Sequence, residues 1–238
     1  MKKTLYYARS WLSRIVTYPQ KTISLDETYS EYWVERGRGT TAALSDWQKD
    51  RSSIIAARAT HGAVIADFGC GDGAMLKHIG ELTDAKQLIG YDIEPQTLSI
   101  AHGLGIETHE LSAEQAVHSY ENLAEADYYL ACEVLEHVPF SEKLLAALVA
   151  RSRKGVFFSV PNTGFLVHRF RLFFGKVPAQ WMYMPNEHVR FWTVVDMRWW
   201  LRTLGYQQVE IIPYRGIPVL NRLWPNLCAE GVVVFIRQ

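Results

Sequence analysis

The sequence predicts an α/β protein: a parallel sheet with helices on both faces. Three observations predict it. Short apolar runs alternate with helix-period segments between residues 63 and 160. The first apolar run ends in glycines at alternate positions, Gly69, Gly71 and Gly73. The second run ends in an acid, Asp92, 19 residues after Gly73. Right-handed crossovers between the strands follow from chain chirality.

Each element has its own signal. Residues 44–59 read as a helix with Leu44, Trp47, Ile54, Ile55 and Ala59 largely on one face. Strands are expected at 63–68, 87–91, 106–109, 126–131 and 155–160, and helices at 74–82, 94–102 and 140–150. Residues 162–190 are aromatic, basic and interrupted by Pro178 and Pro185, so an irregular insertion over the strand ends is expected. Thr193 and Asp196 form a capping-box-like pair that opens a helix, and Gly205 fits its C-terminal stop. Two closing strands, 206–212 and 231–236, read as an antiparallel hairpin with a long connection.

Bulk properties bound the function. The 238 residues suit one α/β domain with elaborations and give a core that needs no staples. The three cysteines are too few and too scattered for a disulfide framework, and the lack of a CxxC pair excludes a zinc site of that type; a reducing cytoplasm is the default expectation. No run reaches the ~18–20 apolar residues needed to span a bilayer. Residues 1–16 place Lys2, Lys3, Arg9 and Arg14 among apolar residues at helical spacing, without the features of a signal peptide. This segment reads as a helix docked on the domain, or as a basic amphipathic contact with a membrane surface. The organisation expected is a helical extension or cap over 1–60, then a domain over 61–238 carrying a lid over 162–191.

Net charge is zero, but unevenly spread. Residues 61–150 carry 3 basic and 15 acidic side chains, while residues 151–238 carry 12 and 4. All eight tryptophans lie outside 61–150. A lean acidic core is thus flanked by basic aromatic segments, which either attract an anionic substrate or neutralise the core as solvated faces. Zero net charge and no separate RNA-binding module argue against a nucleic-acid partner; the oligomeric state is not encoded legibly.

Residues 67–73 (Asp-Phe-Gly-Cys-Gly-Asp-Gly) form the strongest motif. Glycines after a strand allow a tight turn and close approach of a ligand, and the following helix offers free N–H groups and a positive dipole end. In open α/β sheets this crevice binds ligands. Asp92 can accept both ribose hydroxyls of an adenosyl group, or cap the helix near Pro95. A P-loop fails because Ala74 and Met75 follow Gly73. The third glycine of a dinucleotide fingerprint comes one residue early, and Asp72 would repel a pyrophosphate. Acids are tolerable beside the sulfonium and amine of S-adenosylmethionine. Cys70 reads as a packing residue.

At this point the chain resembles the class I S-adenosylmethionine-dependent methyltransferases, among them MetW-like and ubiquinone-biosynthesis O-methyltransferase-like proteins. Residues 67–73 are similar to their first motif, and Asp92 matches their ribose-binding acid. Ser112-Ala113-Glu114 lies where that family contacts adenine. Residues 131–138 (Ala-Cys-Glu-Val-Leu-Glu-His-Val) look like the motif after strand four, and Val160-Pro161-Asn162 ends strand five as in many members. The resemblance spans residues 54–238. It implies a Rossmann-like, doubly wound, seven-stranded sheet with its last strand antiparallel. It implies S-adenosylmethionine as cofactor, with Asp67, Gly69, Cys70, Gly71, Gly73, Asp92, Ile93, Ser112, Ala113 and Cys132 as its contacts. It implies methyl transfer to a small-molecule acceptor, or, in the MetW manner, an accessory or regulatory subunit without turnover of its own.

Glu133, Glu136 and His137 follow strand four, where substrate should lie. Their spacing on a helical turn lets them converge, and His188 can add a second imidazole from the insertion. Carboxylates and imidazoles suit Mg²⁺, Mn²⁺ or Zn²⁺. The resemblance to metal-dependent O-methyltransferases, of ubiquinone biosynthesis and of small RNA, implies Glu133, Glu136, His137 and His188 as ligands. Without a metal, His137 reads as a general base and Glu133 as a cofactor contact, the two catalytic candidates.

Overall fold

The computed structural model describes residues 42–178 and 188–238, so the expected helix at 1–16 lies outside the described residues. The first described helix is α1 (Asp46–Ala56), closed at its start by a Ser45–Gln48 capping box. The alternating series follows: β1 (Val64–Phe68), α2 (Ala74–Thr83), β2 (Gln87–Asp92), α3 (Pro95–Gly103), β3 (Glu107–Glu110), α4 (Ala113–Val117), β4 (Ala126–Cys132), α5 (Ser141–Arg151) and β5 (Ser152–Pro161). After it come α6 (Leu166–Phe173), α7 (Val194–Thr203), β6 (Val209–Tyr214), two one-turn helices α8 (Leu220–Leu223) and α9 (Pro225–Cys228), and β7 (Gly231–Arg237).

The seven strands form one sheet in the order β3-β2-β1-β4-β5-β7-β6. β1 to β5 are parallel, and β7 runs antiparallel to both β5 and β6. The chain reverses direction across the sheet between β1 and β4, and that switch point opens a crevice at the strand ends. Central strands read as unbroken apolar runs because both faces are covered. Alternate residues serve opposite cores: Tyr129, Ala131 and Phe158 face α5 and α7, whereas Tyr128, Leu130 and Phe157 face α1 and α2. Phe157 stacks on Phe235 across β5 and β7, with centroids 4.1 Å apart.

The tail of the chain differs from the expectation at the insertion, at β6, which spans Val209–Tyr214 rather than 206–212, and in the two one-turn helices of the connection. The insertion was expected to be irregular, yet it contains α6, whose helical period is masked in the sequence by aromatics on every side. Helix α7 behaves as its caps predict: Thr193 and Asp196 bond reciprocally, and Gly205 (φ 87°) closes a Schellman motif with Tyr206 N–H on the Leu201 carbonyl.

Asn162 organises the end of β5. Its Nδ2 donates to the carbonyls of Ala229 (2.7 Å), Pro225 (3.2 Å) and Asn226 (3.3 Å), and its Oδ1 accepts from Gly164 N–H (3.0 Å). The side chain is 1% exposed, so those partners have no water to replace it. Asn162→Ala should therefore lose roughly 3 kcal/mol of stability in urea unfolding; a loss within error of zero would show that these carbonyls find other donors.

Candidate active site

After β1 the chain turns through Gly69, Gly71 and Gly73, with φ of 80°, 55° and 73°. A β-carbon at Gly69 would stand 2.6 Å from Val134 Cγ2, and one at Gly73 2.6 Å from Ile106 Cδ1. The N–H groups of Gly69 and Cys70 donate to the Tyr91 carbonyl at 2.8 and 3.0 Å, which ties the loop to β2. Asp72 is buried and caps α2: its Oδ1 accepts from Ala74 N–H at 3.1 Å. Cys70 packs its sulfur against Gly90, where a β-carbon would meet it at 2.7 Å. Burial pushes the Cys70 thiol well up, and that of Cys132 up to about 12, so neither supplies a thiolate at neutral pH.

Asp67 and Asp92 end adjacent strands, 1% and 5% exposed. Asp92 Oδ2 accepts from Gly71 N–H (2.8 Å), and Oδ1 from Ile93 N–H (2.8 Å) and Glu94 N–H (3.1 Å). Three of roughly four lone-pair directions are filled, so Oδ2 keeps one for an incoming hydroxyl. The cap of α3 is Glu94, not Asp92, with Pro95 in the first turn. Ile93 is 40% exposed and presents an apolar face beside this carboxylate. Ser112 and Ala113 lie exposed at the start of α4, where the Ser112 hydroxyl caps the helix by accepting from Gln115 N–H at 3.2 Å.

Asp67 Oδ1 has no hydrogen-bond partner among the described residues. Burial, and then the charge of Asp92, push its carboxyl up to about 7, against the pull of Arg51. Arg51 reaches the site from α1. Its Nη1 lies 3.0 Å from Glu133 Oε1 and 3.3 Å from the Tyr214 hydroxyl, while its buried Nε is without a described partner. Burial opposes the guanidinium charge, but Glu133 and Tyr214 outweigh it and raise the arginine above its ordinary range.

Glu133 begins the turn after β4 with φ 58°, a left-handed conformation unusual for a glutamate. Its carboxylate accepts from Ser159 Oγ at 2.7 Å as well as meeting Arg51. The next residues enter a one-turn 3-10 helix, Leu135–His137. There the Glu136 carbonyl accepts from Val189 N–H (2.8 Å) and Arg190 N–H (3.0 Å), which stitches the return of the insertion onto the turn. Arg190 adds an ion pair with Glu142 and a bond to the Pro139 carbonyl at 3.1 Å.

That stitching sets His188 edge-on to His137, with ring centroids 4.7 Å apart. One donor atom each from Glu136, His137 and His188 lie within 4.8 Å of one another, a donor set suited to a divalent cation. Glu136 is buried and the two histidines are partly so. Glu133 stands outside this group. Sequence reasoning missed Arg51 and Ser159. The available signal was a cation one turn after Trp47 and one turn before Ile55, on the apolar face of the predicted helix.

A glycine turn at the switch point, an acid at the end of β2 and an antiparallel β7 define a class I S-adenosylmethionine-dependent methyltransferase fold. The chain belongs to the methyltransferase domain family, whose model matches residues 40–211. It is 30% identical over 163 residues to a ubiquinone biosynthesis O-methyltransferase of Azoarcus sp. (strain BH72), a match covering 63% of this chain and 66% of that protein, just under two thirds of its length. Its fold is similar to a SAM-dependent methyltransferase from Archaeoglobus fulgidus (TM-score 0.58, 14% identity, 89% of this chain and 100% of that one). It is also similar to the small RNA methyltransferase HEN1 (TM-score 0.60, 21% identity, 84% of this chain and 26% of that one). Among the described residues no helix is long and apolar enough to cross a membrane.

The Asp67 carboxyl carries a pH signature. Folding raises its affinity for a proton from an ordinary 3.8 to about 7, so the folded state binds more protons between those values. Stability is therefore highest below about pH 4 in this contribution and is lost as pH rises toward 7. Urea midpoints for wild type and Asp67→Asn, measured across that window, should show the fall in wild type and a flatter curve in the variant. Parallel curves would mean that another group carries the slope.

Proposed function

We propose that this protein transfers the methyl group of S-adenosylmethionine to a hydroxyl oxygen of a small-molecule acceptor. The observation that carries the reading is a matched pair of buried, opposite, unsatisfied groups beside the glycine turn: Asp67 Oδ1 and Arg51 Nε. An amino-acid moiety is a zwitterion, and a buried carboxylate beside a buried guanidinium suits its ammonium and carboxylate. The remaining acceptor direction on Asp92 suits a ribose hydroxyl, and Ile93 offers an apolar face to a base. NAD has no such amino-acid end. The cofactor supplies the methyl as an activated sulfonium group; the chain's residues supply alignment and handle the acceptor proton.

The acceptor end is assigned to Glu136, His137 and His188. These three fit a divalent cation, which would supply Lewis-acid activation of a hydroxyl. Without one, His137 is the base in reach of an acceptor proton. In this reading Glu133 orients Arg51 and braces the turn. The Azoarcus relative is named for O-methylation, which supports oxygen as the target. A second reading, an RNA 2′-hydroxyl, is favoured by the likeness to HEN1. Turnover with a panel of small hydroxyl compounds, set against a short RNA, separates the two.

Calorimetric titration of S-adenosylhomocysteine should show one site per chain. Arg51→Met and Asp92→Ala should each weaken it by about tenfold or more, the loss expected for a charge-assisted hydrogen bond. Arg51→Met binding as tightly as wild type would remove the central support. Titration of Mn²⁺ or Zn²⁺ should weaken strongly in Glu136→Gln and His188→Ala and persist in Glu133→Gln. Equal loss in Glu133→Gln would enlarge the site to four ligands.

A further inference from the structure

The outer surface of α7 carries large apolar side chains among its polar ones. Val194, Met197, Trp200 and Leu201 fill its buried side. On the opposite side Val195 and Trp199, one turn apart, are 55% and 67% exposed. Arg198 and Arg202, also one turn apart, flank that apolar pair on the exposed side. The connection between β6 and β7 continues the surface. Asn226 Oδ1 in α9 accepts from Val195 N–H at 3.3 Å, so the short helices abut the start of α7. Just before Asn226, Leu223 and Trp224 are 64% and 61% exposed, with Arg222 exposed beside them.

The tip of this connection is Val219, 71% exposed, with φ 68°. A β-branched residue rarely adopts that conformation, and such strain persists where the surroundings impose it, often at functional surfaces. Basic groups outnumber acidic ones on this surface, with Arg198, Arg202 and Arg222 against the exposed Asp196. Arg198, Arg202 and Arg222 form no ion pair with a described residue. The one acid of α7, Asp196, is occupied by the Thr193 cap.

We propose that α7 and the α8–α9 connection form a docking surface for an anionic lipid bilayer. Tryptophans favour the headgroup boundary, where an indole rests among chains with its N–H in the polar layer. Apolar side chains between arginines that have no ion pair among the described residues match a surface of negative headgroups over hydrocarbon. A protein partner would have to match carboxylates to the three arginines and apolar pockets to Val195, Trp199, Leu223 and Trp224, whereas an anionic bilayer supplies both layers over any such surface. None of these residues belongs to the site described above, so this surface stands whether or not the methyl-transfer reading does.

The test is co-sedimentation of the full chain with phosphatidylcholine vesicles, with and without phosphatidylglycerol. The expected result is binding to the phosphatidylglycerol vesicles that weakens with salt, and little binding to phosphatidylcholine alone. The double variant Trp199→Ser/Trp224→Ser should lose roughly tenfold or more in partitioning. Replacing Arg198, Arg202 and Arg222 by Gln should cost roughly fivefold per arginine and erase the preference for phosphatidylglycerol. Unchanged S-adenosylhomocysteine affinity in both variants keeps these effects separate from the cofactor site, and matching urea midpoints keep them separate from unfolding. No binding to phosphatidylglycerol vesicles overturns the proposal. So does lipid-free self-association that the tryptophan variant abolishes, since the occupant is then a second copy of the chain.

Discussion

Two carboxylates buried side by side constrain everything around them. Asp67 and Asp92 end neighbouring parallel strands with almost no access to water. Like charges in that position are costly, and the chain answers in two ways. Asp92 takes three backbone N–H groups, one of them from the glycine turn, and so holds β2 and the turn after β1 in one piece. Asp67 keeps an unsatisfied oxygen and is eased by the charge of Arg51. The site therefore keeps one buried carboxylate oxygen and one buried guanidinium nitrogen, Asp67 Oδ1 and Arg51 Nε, without a described partner.

Arg51 extends the constraint to the turn after β4. One guanidinium faces Asp67 and grips Glu133, and Glu133 begins the turn that carries Glu136 and His137. The same turn presses Val134 into the space kept open by Gly69. The glycine turn and the turn after β4 thus share a packed contact, while Arg51 ties the second turn to α1 by an ion pair. The far wall comes from the insertion, which returns at Val189 and Arg190 to bond the Glu136 carbonyl and so delivers His188. Two segments distant in sequence are joined by two backbone hydrogen bonds and by the contacts of Arg190 with Glu142 and Pro139, and together these bring the cluster into place.

Much of this was legible in the chain. The strands β1 to β5 with α2, α3 and α5, the capped start and glycine stop of α7, and the antiparallel closing pair were predicted within a few residues, whereas the short α4 was not. Their signals are local: apolar period, cap chemistry, glycine at positive φ. Helix α6 was not predicted, because aromatics on several sides hide its period. At the site, residues 67–73, Asp92, Glu136 and His137 could be named because strand ends carry them to one edge. Asp92 as a helix cap proved a wrong alternative, since Glu94, two residues on, takes that place. Arg51 escaped notice because a lone arginine on an apolar helix face says nothing of which carboxylate it will meet.

By itself, then, the sequence determined the class of fold, the glycine turn and the acids that flank it, since each depends on residues within a few positions of one another. Tertiary structure alone decided which charges meet. It gave Glu133 to Arg51 and Ser159 rather than to the histidines, and brought His188 against His137 across 51 residues of chain. The reason is physical: hydrogen bonds and ion pairs are set by approach in space, and only packing α1 and the returning insertion onto the sheet fixes that approach.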